Sequence, residues 1–187
     1  MNPQERLLDM THDAHGSKER YFIPLRIAVL TISDSRTPET DTSGKVLVDR
    51  LTEKGHLLAQ KRIVKDNIYE IRAVLSRWIA SPEIQAVVTT GGTGLTLRDG
   101  TPEAVAPLLD KEIIGFGEMF RAVSFEEIKT ATLQSRALAG IANGTYIFCL
   151  PGSSGACKTA WDNLIEAQLD YRTQPCNFVE LMPQLRE

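Results

Sequence analysis

The residues best suited to chemistry lie in the segment 86–103, which reads AVVTTGGTGLTLRDGTPE. Its first residues are apolar and β-branched, which predicts a buried strand. Three glycines within four positions then allow backbone dihedrals that are closed to other residues. Successive N–H groups in such a loop can point into one concavity that holds an anion. We therefore predict a phosphate-sized loop made of Thr90, Gly91, Gly92, Thr93 and Gly94.

A carboxylate and a helix start follow this loop directly. Asp99 comes five residues after the last glycine of the loop. Thr101 is predicted as the N-cap of a helix and Pro102 as its first residue, because these residue types favour those positions. The segment therefore predicts an anion loop, a carboxylate and a helix N-terminus in succession.

Two familiar glycine-rich motifs do not match this loop. A P-loop continues with Lys and Ser or Thr, whereas Leu95 and Thr96 follow Gly94. The dinucleotide-binding fingerprint would require glycine at the position of Leu97. A tight turn without a ligand is the alternative. A turn alone does not need a double glycine flanked by threonines and followed by an Arg-Asp pair, so we favour a ligand site.

Polar residues also follow other predicted strands. Ser33 and Asp34 come at the end of the apolar strand 23–33, and Asp66 stands just after the strand 56–64. A small polar loop precedes a later predicted helix, where free N–H groups and the helix dipole favour negative charge. That loop contains Pro151, Gly152, Ser153 and Ser154. Because open α/β sheets bind ligands at the carboxyl ends of their strands, these residues converge if the strands run parallel.

The elements that must position these residues alternate between strand and helix patterns. The apolar run 27–30 predicts a strand buried on both faces, as in a parallel sheet, and Asn143-Gly144 predicts a β-hairpin. The less apolar strand 56–64 is expected near an edge, with His56 at the surface, and the strand 86–90 at the centre. We predict a three-layer α/β/α fold with a mostly parallel central sheet and one hairpin.

Composition narrows the class of protein. A chain of 187 residues that is 42% hydrophobic and 24% charged is typical of one globular domain, which we expect over residues 21–187 after a polar N-terminal arm, residues 1–20. A net charge of −3 gives no basis for non-specific attraction to nucleic acid or to a membrane. The odd number of cysteines and the lack of a CxxC motif do not predict a disulfide framework or a zinc site. No apolar signal core opens the chain, so we expect a cytoplasmic protein.

The residue types at the predicted strand ends favour phosphate chemistry. They offer two anion loops and several carboxylates, but no Cys–His pair and no histidine near a serine. Mg²⁺ prefers one or two carboxylates together with phosphate oxygens of the substrate. An ionised phosphate is its own nucleophile, so the protein needs only to position it and to neutralise charge. The residues therefore predict a Mg²⁺-assisted reaction of a phosphate group.

Five segments together resemble the MoaB/Mog family of molybdenum cofactor biosynthesis proteins. The resemblance covers residues 23–178 and is most specific where TTGGTG is followed by RDxTPE. The other segments, IIGFGEMFR, LQSRALAGI and LPGSSGACKTAWDNLI, begin at Ile113, Leu133 and Leu150. The later ones are most similar to the MoaB branch of the family.

The resemblance implies that the protein binds molybdopterin and transfers AMP to it from Mg-ATP, releasing pyrophosphate. By position, Thr90 to Gly94 would hold phosphate, and Asp66 and Asp99 would serve Mg²⁺ and turnover. Other pocket segments would be Ser33, Asp34, Ser135 and Pro151 to Ser154. The resemblance also implies a homo-oligomer, either a trimer or a pair of trimers.

Two other functions stay open from the sequence. One is a molybdopterin-binding partner protein without catalysis, which would keep the pocket but not the turnover. The other is an unrelated nucleotide-dependent enzyme on the same architecture, because a fold does not determine a function.

Overall fold

The computed structural model describes residues 20–185, and these contain one six-stranded sheet with the strand order β2-β1-β3-β6-β5-β4. The strand predicted to be central, β3, is the third of the six, and the less apolar β2 lies at an edge, as predicted. The strands are β1 (Arg26–Ile32), β2 (Leu57–Val64), β3 (Ala86–Thr90), β4 (Lys111–Glu112), β5 (Leu138–Ala142) and β6 (Thr145–Leu150).

Strand direction divides the sheet into two parts. One part is a parallel sheet of four strands that lie in the order β2, β1, β3 and β6. β5 pairs antiparallel with β6 across the Asn143-Gly144 turn, and β4 pairs antiparallel with β5. Asn143 and Gly144 both have positive φ, 47° and 74°, as the tightest hairpin turns require. The predicted hairpin and the mostly parallel three-layer fold are confirmed.

Helices cover both faces of this sheet. The α-helices are α1 (Thr42–Glu53), α2 (Ile68–Ile79), α3 (Thr101–Val105), α4 (Ile114–Ile128), α5 (Ser154–Ala160), α6 (Glu166–Gln168) and α7 (Phe178–Leu181). A π-helical turn, Trp161–Ile165, joins α5 to α6, and 3₁₀ turns are formed by Ala106–Leu108, Lys129–Gln134 and Met182–Leu185. No helix in the part of the chain that the structure describes is long and apolar enough to cross a membrane.

The strand alternation builds two apolar clusters, one on each face. Ile27 and Val29 of β1 pack into the cluster formed with α1, α4 and α5. Ala28 and Leu30 point the other way, into the cluster formed with α2 and α3. This period of two, in a strand buried on both faces, produces the nearly continuous apolar run seen in the sequence.

Helix starts follow local signals in some places and not in others. Asn67 caps α2, since its side chain accepts from the N–H groups of Tyr69 and Glu70. α1 is capped by Asp41, which the sequence analysis did not identify. The carboxylate of Asp41 is buried and also contacts Lys61, at 2.8 Å. This residue therefore ties a helix N-terminus to the edge strand.

His56 is buried, so its predicted surface position is wrong. Its Nδ1 accepts from the N–H of Leu25 at 3.1 Å, and its ring lies 5.0 Å from Phe22 and 6.2 Å from Trp161, between centroids. Burial lowers the pKa of His56 from 6.5 to about 4. The imidazole is therefore held in its neutral form inside the fold. Residues 1–19 of the predicted N-terminal arm lie outside the described residues.

We expect His56 to make stability depend on pH. Its pKa is lower in the folded protein than in the unfolded chain, so its contribution is complete above about pH 6.5 and is lost as the pH falls toward 4. The free energy of unfolding should fall by roughly 2 kcal/mol between pH 7.5 and pH 5 on this account. Urea titrations of the parent and of His56→Gln, which keeps an acceptor but does not titrate, measure the difference. Parallel pH profiles of the two proteins would contradict the expectation.

Candidate functional site

A cavity of about 570 Å³ opens where the loops after β1, β3 and β6 meet. Eleven of the fourteen predicted site residues line it, namely Ser33, Asp99, Ser135 and the segments 90–94 and 151–153. Asp34, Asp66 and Ser154 do not line the cavity, although Asp34 and Asp66 lie beside its wall. The parallel strands thus bring together most of the residues that the sequence analysis selected.

The glycine loop is held tightly by the backbone around it. Gly91 and Gly92 have φ of +107° and +64°, and a Cβ on Gly91 would overlap the carbonyl of Ile32. A Cβ on Gly92 would overlap the hydroxyl of Thr101 and stand 2.7 Å from Oδ2 of Asp66. Substitution of Gly92 would therefore disturb these neighbours first, rather than simply block the approach of a ligand.

Thr101 closes the loop instead of capping a helix. Its hydroxyl donates to the carbonyl of Gly91 at 2.8 Å, and its N–H donates to the carbonyl of Gly92 at 2.9 Å. The N-cap of α3 is Gly100, which makes no side-chain cap. The predicted N-cap is therefore wrong by one residue, because the hydroxyl has a tertiary partner.

Two backbone donors of the loop are left for a ligand. Within the described residues, the N–H groups of Gly92 and Thr93 donate to no protein acceptor, although both residues line the cavity. Buried backbone donors are almost always paired, so these two N–H groups on residues that line a cavity are available to an acceptor bound there. This is the feature expected of a phosphate-binding loop.

The loop after β6 lies directly against the glycine loop. A Cβ on Gly152 would stand 3.2 Å from the Cα of Gly91, and the hydroxyl of Thr90 donates to the carbonyl of Pro151 at 3.0 Å. Ser153 caps α5, since its hydroxyl accepts from the N–H of Ala156. The start of α5 therefore opens on the same cavity, as predicted.

Asp66 lies at the edge of the glycine loop and close to other carboxylates. Its Oδ1 accepts from the N–H of Gly100 at 3.2 Å, and its own N–H donates to Oδ1 of Asp34 at 3.3 Å. The pKa of Asp66 is raised, first by burial and further by the charges of Asp99 and Asp34. Negative charge is therefore unfavourable at Asp66, and a cation there would relieve it.

Asp99 has partners that the sequence analysis did not predict. Its Oδ2 accepts from both the N–H and the hydroxyl of Thr96, at 2.9 and 2.6 Å, which closes the turn 96–99. The hydrogen bond from the Thr96 hydroxyl is the main cause of a lowered pKa at Asp99. Arg98 pairs with Asp34 and not with Asp99. Asp99 therefore forms neither an ion pair with Arg98 nor a cap on α3.

Asp66 and Asp99 could hold Mg²⁺ only if phosphate oxygens of a bound substrate completed its coordination. The described residues contain no group of three or more side chains suited to hold a metal ion by themselves. Mg²⁺ commonly takes one or two carboxylates and completes its octahedron with water and phosphate oxygens. Asp66 and Asp99 supply two carboxylates at the glycine loop, which matches this requirement.

Two contributors to the site, Arg136 and Glu127, were not predicted from the sequence. Arg136 donates to the carbonyls of Gly94 and Asp99, each at 2.8 Å, and so braces the loop between them. Glu127 lines the cavity from α4 and is held by the hydroxyl of Thr159, 3.0 Å from each of its oxygens. Glu127 lies seven residues after the apolar Phe120, a spacing that places both side chains on one face of α4. This spacing was the signal in the sequence from which Glu127 could have been predicted.

The match to known proteins agrees with this geometry. The chain matches the family described as a probable molybdopterin binding domain over residues 28–171. The molybdenum cofactor biosynthesis protein B of Escherichia coli strain K12 is 60% identical over 157 residues, which are 84% of this chain and 92% of that protein. The protein of the same name from Bacillus cereus is 44% identical over 150 residues, covering 80% and 89%.

Solved structures show the same architecture. The tungsten cofactor synthesizing protein MoaB from Pyrococcus furiosus superposes with a TM-score of 0.73 at 35% identity, over 88% of this chain and 98% of that one. Fold and loop site together define a protein of the molybdopterin-binding class. The chain belongs to the MoaB/Mog family of molybdenum cofactor biosynthesis proteins. The hypothesis of an unrelated enzyme on the same architecture is therefore wrong.

Proposed function

We propose that the protein binds molybdopterin and transfers AMP from Mg-ATP to its terminal phosphate, with release of pyrophosphate. The observation that carries the proposal is the pair of N–H groups on Gly92 and Thr93, which have no acceptor among the described residues and open on a cavity beside two carboxylates. A phosphate bound there would face Asp66 and Asp99. The cytoplasmic location inferred from the sequence belongs to the same proposal.

The loop would act mainly by positioning the phosphate of the pterin. Backbone N–H groups carry partial charges, so they hold a phosphate without removing the charge that makes its free oxygen a nucleophile. Arg136 and Thr101 keep the loop rigid through the carbonyls of Gly91, Gly92 and Gly94. Asp66 and Asp99 would hold Mg²⁺, which when bound neutralises charge on the phosphates during transfer.

Glu127 is proposed to bind the pterin ring at the other end of the cavity. Thr159 lies six residues after Ser153 along α5, which corresponds to about 9 Å of helical rise. Within the described residues, Glu127 makes no salt bridge, and Phe120 and Ile128 line the cavity next to it. A pterin presents two N–H donors on its pyrimidine edge, and one carboxylate can accept both.

Glu127→Gln should lower the affinity for a phosphorylated pterin about tenfold or more, because the charged acceptor pair is lost. Glu126→Gln removes the neighbouring charge outside the cavity and should bind like the parent. Fluorescence titration with 6-hydroxymethylpterin phosphate measures both variants. The analogous lumazine carries a carbonyl in place of the 2-amino group, so it should bind more weakly than the pterin to the parent and to Glu126→Gln, whereas Glu127→Gln, whose amide can donate to that carbonyl, should lose this preference. A Glu127→Gln protein that still prefers the pterin as strongly as the parent does would exclude this role.

A homo-oligomer, a trimer or a pair of trimers, is part of the proposal. α4 exposes Ile114, Met119 and Phe125 to solvent by 64%, 54% and 45%. A groove of about 360 Å³ lies beside this helix, and its lining is mostly apolar, including Phe116 and Phe148, with Asn163 and Gln168 as its polar side chains. Exposed apolar area on a helix is typical of a surface that contacts another protein, and it supports the proposal that a second copy of the chain covers this face.

Light scattering of the parent at about micromolar concentration should therefore give three or six times 20.7 kDa. Met119→Glu should shift the mass toward that of the monomer, because it places a charge in the covered face. Tyr69→Glu, at an exposed residue of α2, is the matched control and should not change the mass. A monomeric parent would contradict the proposal.

A molybdopterin-binding partner without catalysis is the second candidate. The hydrogen bonds that Asp99 accepts from Thr96 favour this candidate. They give the Asp99 carboxylate a structural role in the turn 96–99 that does not require a metal ion. The pocket alone is enough for this function. The two candidates therefore differ in whether Asp66 and Asp99 are needed beyond folding.

Asp99→Asn should separate the two candidates. Its amide oxygen can still accept from Thr96, so stability and pterin affinity should stay near those of the parent. Transfer of AMP should fall about a hundredfold or more under the enzymatic proposal, since a metal ligand is lost. Asp66→Asn should behave similarly, and Asp49→Asn on the surface of α1 is the control. Pyrophosphate release from ATP with molybdopterin present measures the rate.

Full activity of Asp99→Asn would remove this residue from the metal site. A parent protein that binds the pterin but releases no pyrophosphate would instead establish the non-catalytic function.

A further inference from the structure

A second cavity, of about 590 Å³, lies between the loop after β1 and the edge strand β2. We call it the basic cavity, because Arg36, Lys61, Arg62 and Lys65 line it against a single acidic residue, Asp34. Ser33 and Arg36 line both this cavity and the one that holds the glycine loop. The two cavities therefore adjoin along the segment 33–36.

The positive charge of the basic cavity is largely uncompensated. In the described part of the chain, Lys61 is its one cation with a salt bridge, to the buried Asp41. Asp34 is paired with Arg98, from outside the cavity. Arg36 donates to the carbonyl of Thr40 at 2.9 Å, which orients its guanidinium without neutralising it. The lining therefore keeps a net positive charge in a chain whose net charge is −3.

Such a site favours an anion with several charges. Like charges that share a concave surface repel each other, and a bound polyanion relieves that repulsion. Arg and Lys also form the strongest hydrogen bonds with phosphate oxygens, and Arg can do so with two bonds at once. The glycine loop, by contrast, offers neutral donors suited to a single phosphate.

We propose that the basic cavity binds the β- and γ-phosphates of the nucleotide and holds the pyrophosphate that leaves. The inference rests on the proposed transfer of AMP. In that step an ionised oxygen of the pterin phosphate forms a bond to the α-phosphorus. The bond from the α-phosphorus to the bridging oxygen breaks, and its electron pair leaves with pyrophosphate. No proton has to move.

The placement of the two cavities suits this displacement. Attacking and leaving oxygens stand roughly in line in phosphoryl transfer, so the two groups need sites on either side of the α-phosphate. The glycine loop would hold the attacking phosphate, and the basic cavity would hold the leaving group. Ser33 and Arg36, which line both cavities, would flank the α-phosphate between them.

The test removes two charges from the basic cavity. The double variant Arg62→Gln with Lys65→Gln changes two exposed side chains, so its fold should be kept. Its matched control, Lys45→Gln with Arg77→Gln, removes one lysine and one arginine that lie outside both cavities. Isothermal titration in the presence of Mg²⁺ gives the affinities for ATP, inorganic pyrophosphate, AMP and the phosphorylated pterin.

The double variant should bind ATP and pyrophosphate at least tenfold more weakly than the parent, whereas AMP and the pterin should bind as before. The control should match the parent for all four ligands. Unchanged affinity of the double variant for pyrophosphate would overturn the inference, and so would a parent that binds neither ATP nor pyrophosphate. If the parent binds pyrophosphate in this charge-dependent way but transfers no AMP, the proposed reaction fails while the polyphosphate site stands.

Discussion

The close approach of three backbone segments at the carboxyl ends of β1, β3 and β6 constrains everything else at this end of the molecule. Gly91 lies against the carbonyl of Ile32 on one side and against Gly152 on the other, with no room for a side chain. Thr101 then ties α3 to the same loop. Hydrogen bonds keep these segments from moving apart, since the N–H of Gly91 donates to the carbonyl of Leu150 and the hydroxyl of Thr90 donates to that of Pro151, each at 3.0 Å. The N–H groups of Gly92 and Thr93 are therefore held in place before any ligand arrives.

Around this rigid centre the charges are separated by type. Neutral N–H groups lie in the loop, carboxylates lie at its edge, and cations line the adjoining basic cavity. A phosphate that has to react keeps its negative charge best on neutral donors, whereas a phosphate that has to leave is stabilised by full positive charges. Arg98 pairs with Asp34 at the boundary between these groups, and its charge partly offsets the effects that raise the pKa of Asp66.

Several residues serve the fold and the site at once. Asp99 closes a turn with Thr96 and also lines the cavity, and Arg136 braces the loop while pairing with Glu103. Asp41 caps α1, accepts from Thr31 and pairs with Lys61 of the basic cavity. Substitution at such residues changes stability and binding together, so matched conservative variants are needed to separate the two effects.

The sequence by itself determined the elements and most of the predicted site. The buried strands β1 and β3, the Asn143-Gly144 hairpin and the cap at Asn67 follow from signals that act over a few residues. Parallel strands end at one edge, so the loops after β1, β3 and β6 had to converge once the fold class was assigned. Family resemblance supplied Ser135, for which no local pattern gave a reason.

Only the tertiary structure decided which partners the polar side chains have. His56 is buried because its ring packs on Phe22 and Trp161, the latter more than a hundred residues away. Thr101 donates to Gly91 rather than capping α3, and Glu127 reaches the cavity because α4 docks beside α5. A local pattern states which backbone form is favoured, but a side chain's partner depends on how distant elements pack. That packing is decided by the burial of both faces of the sheet, which the sequence of any one element does not contain.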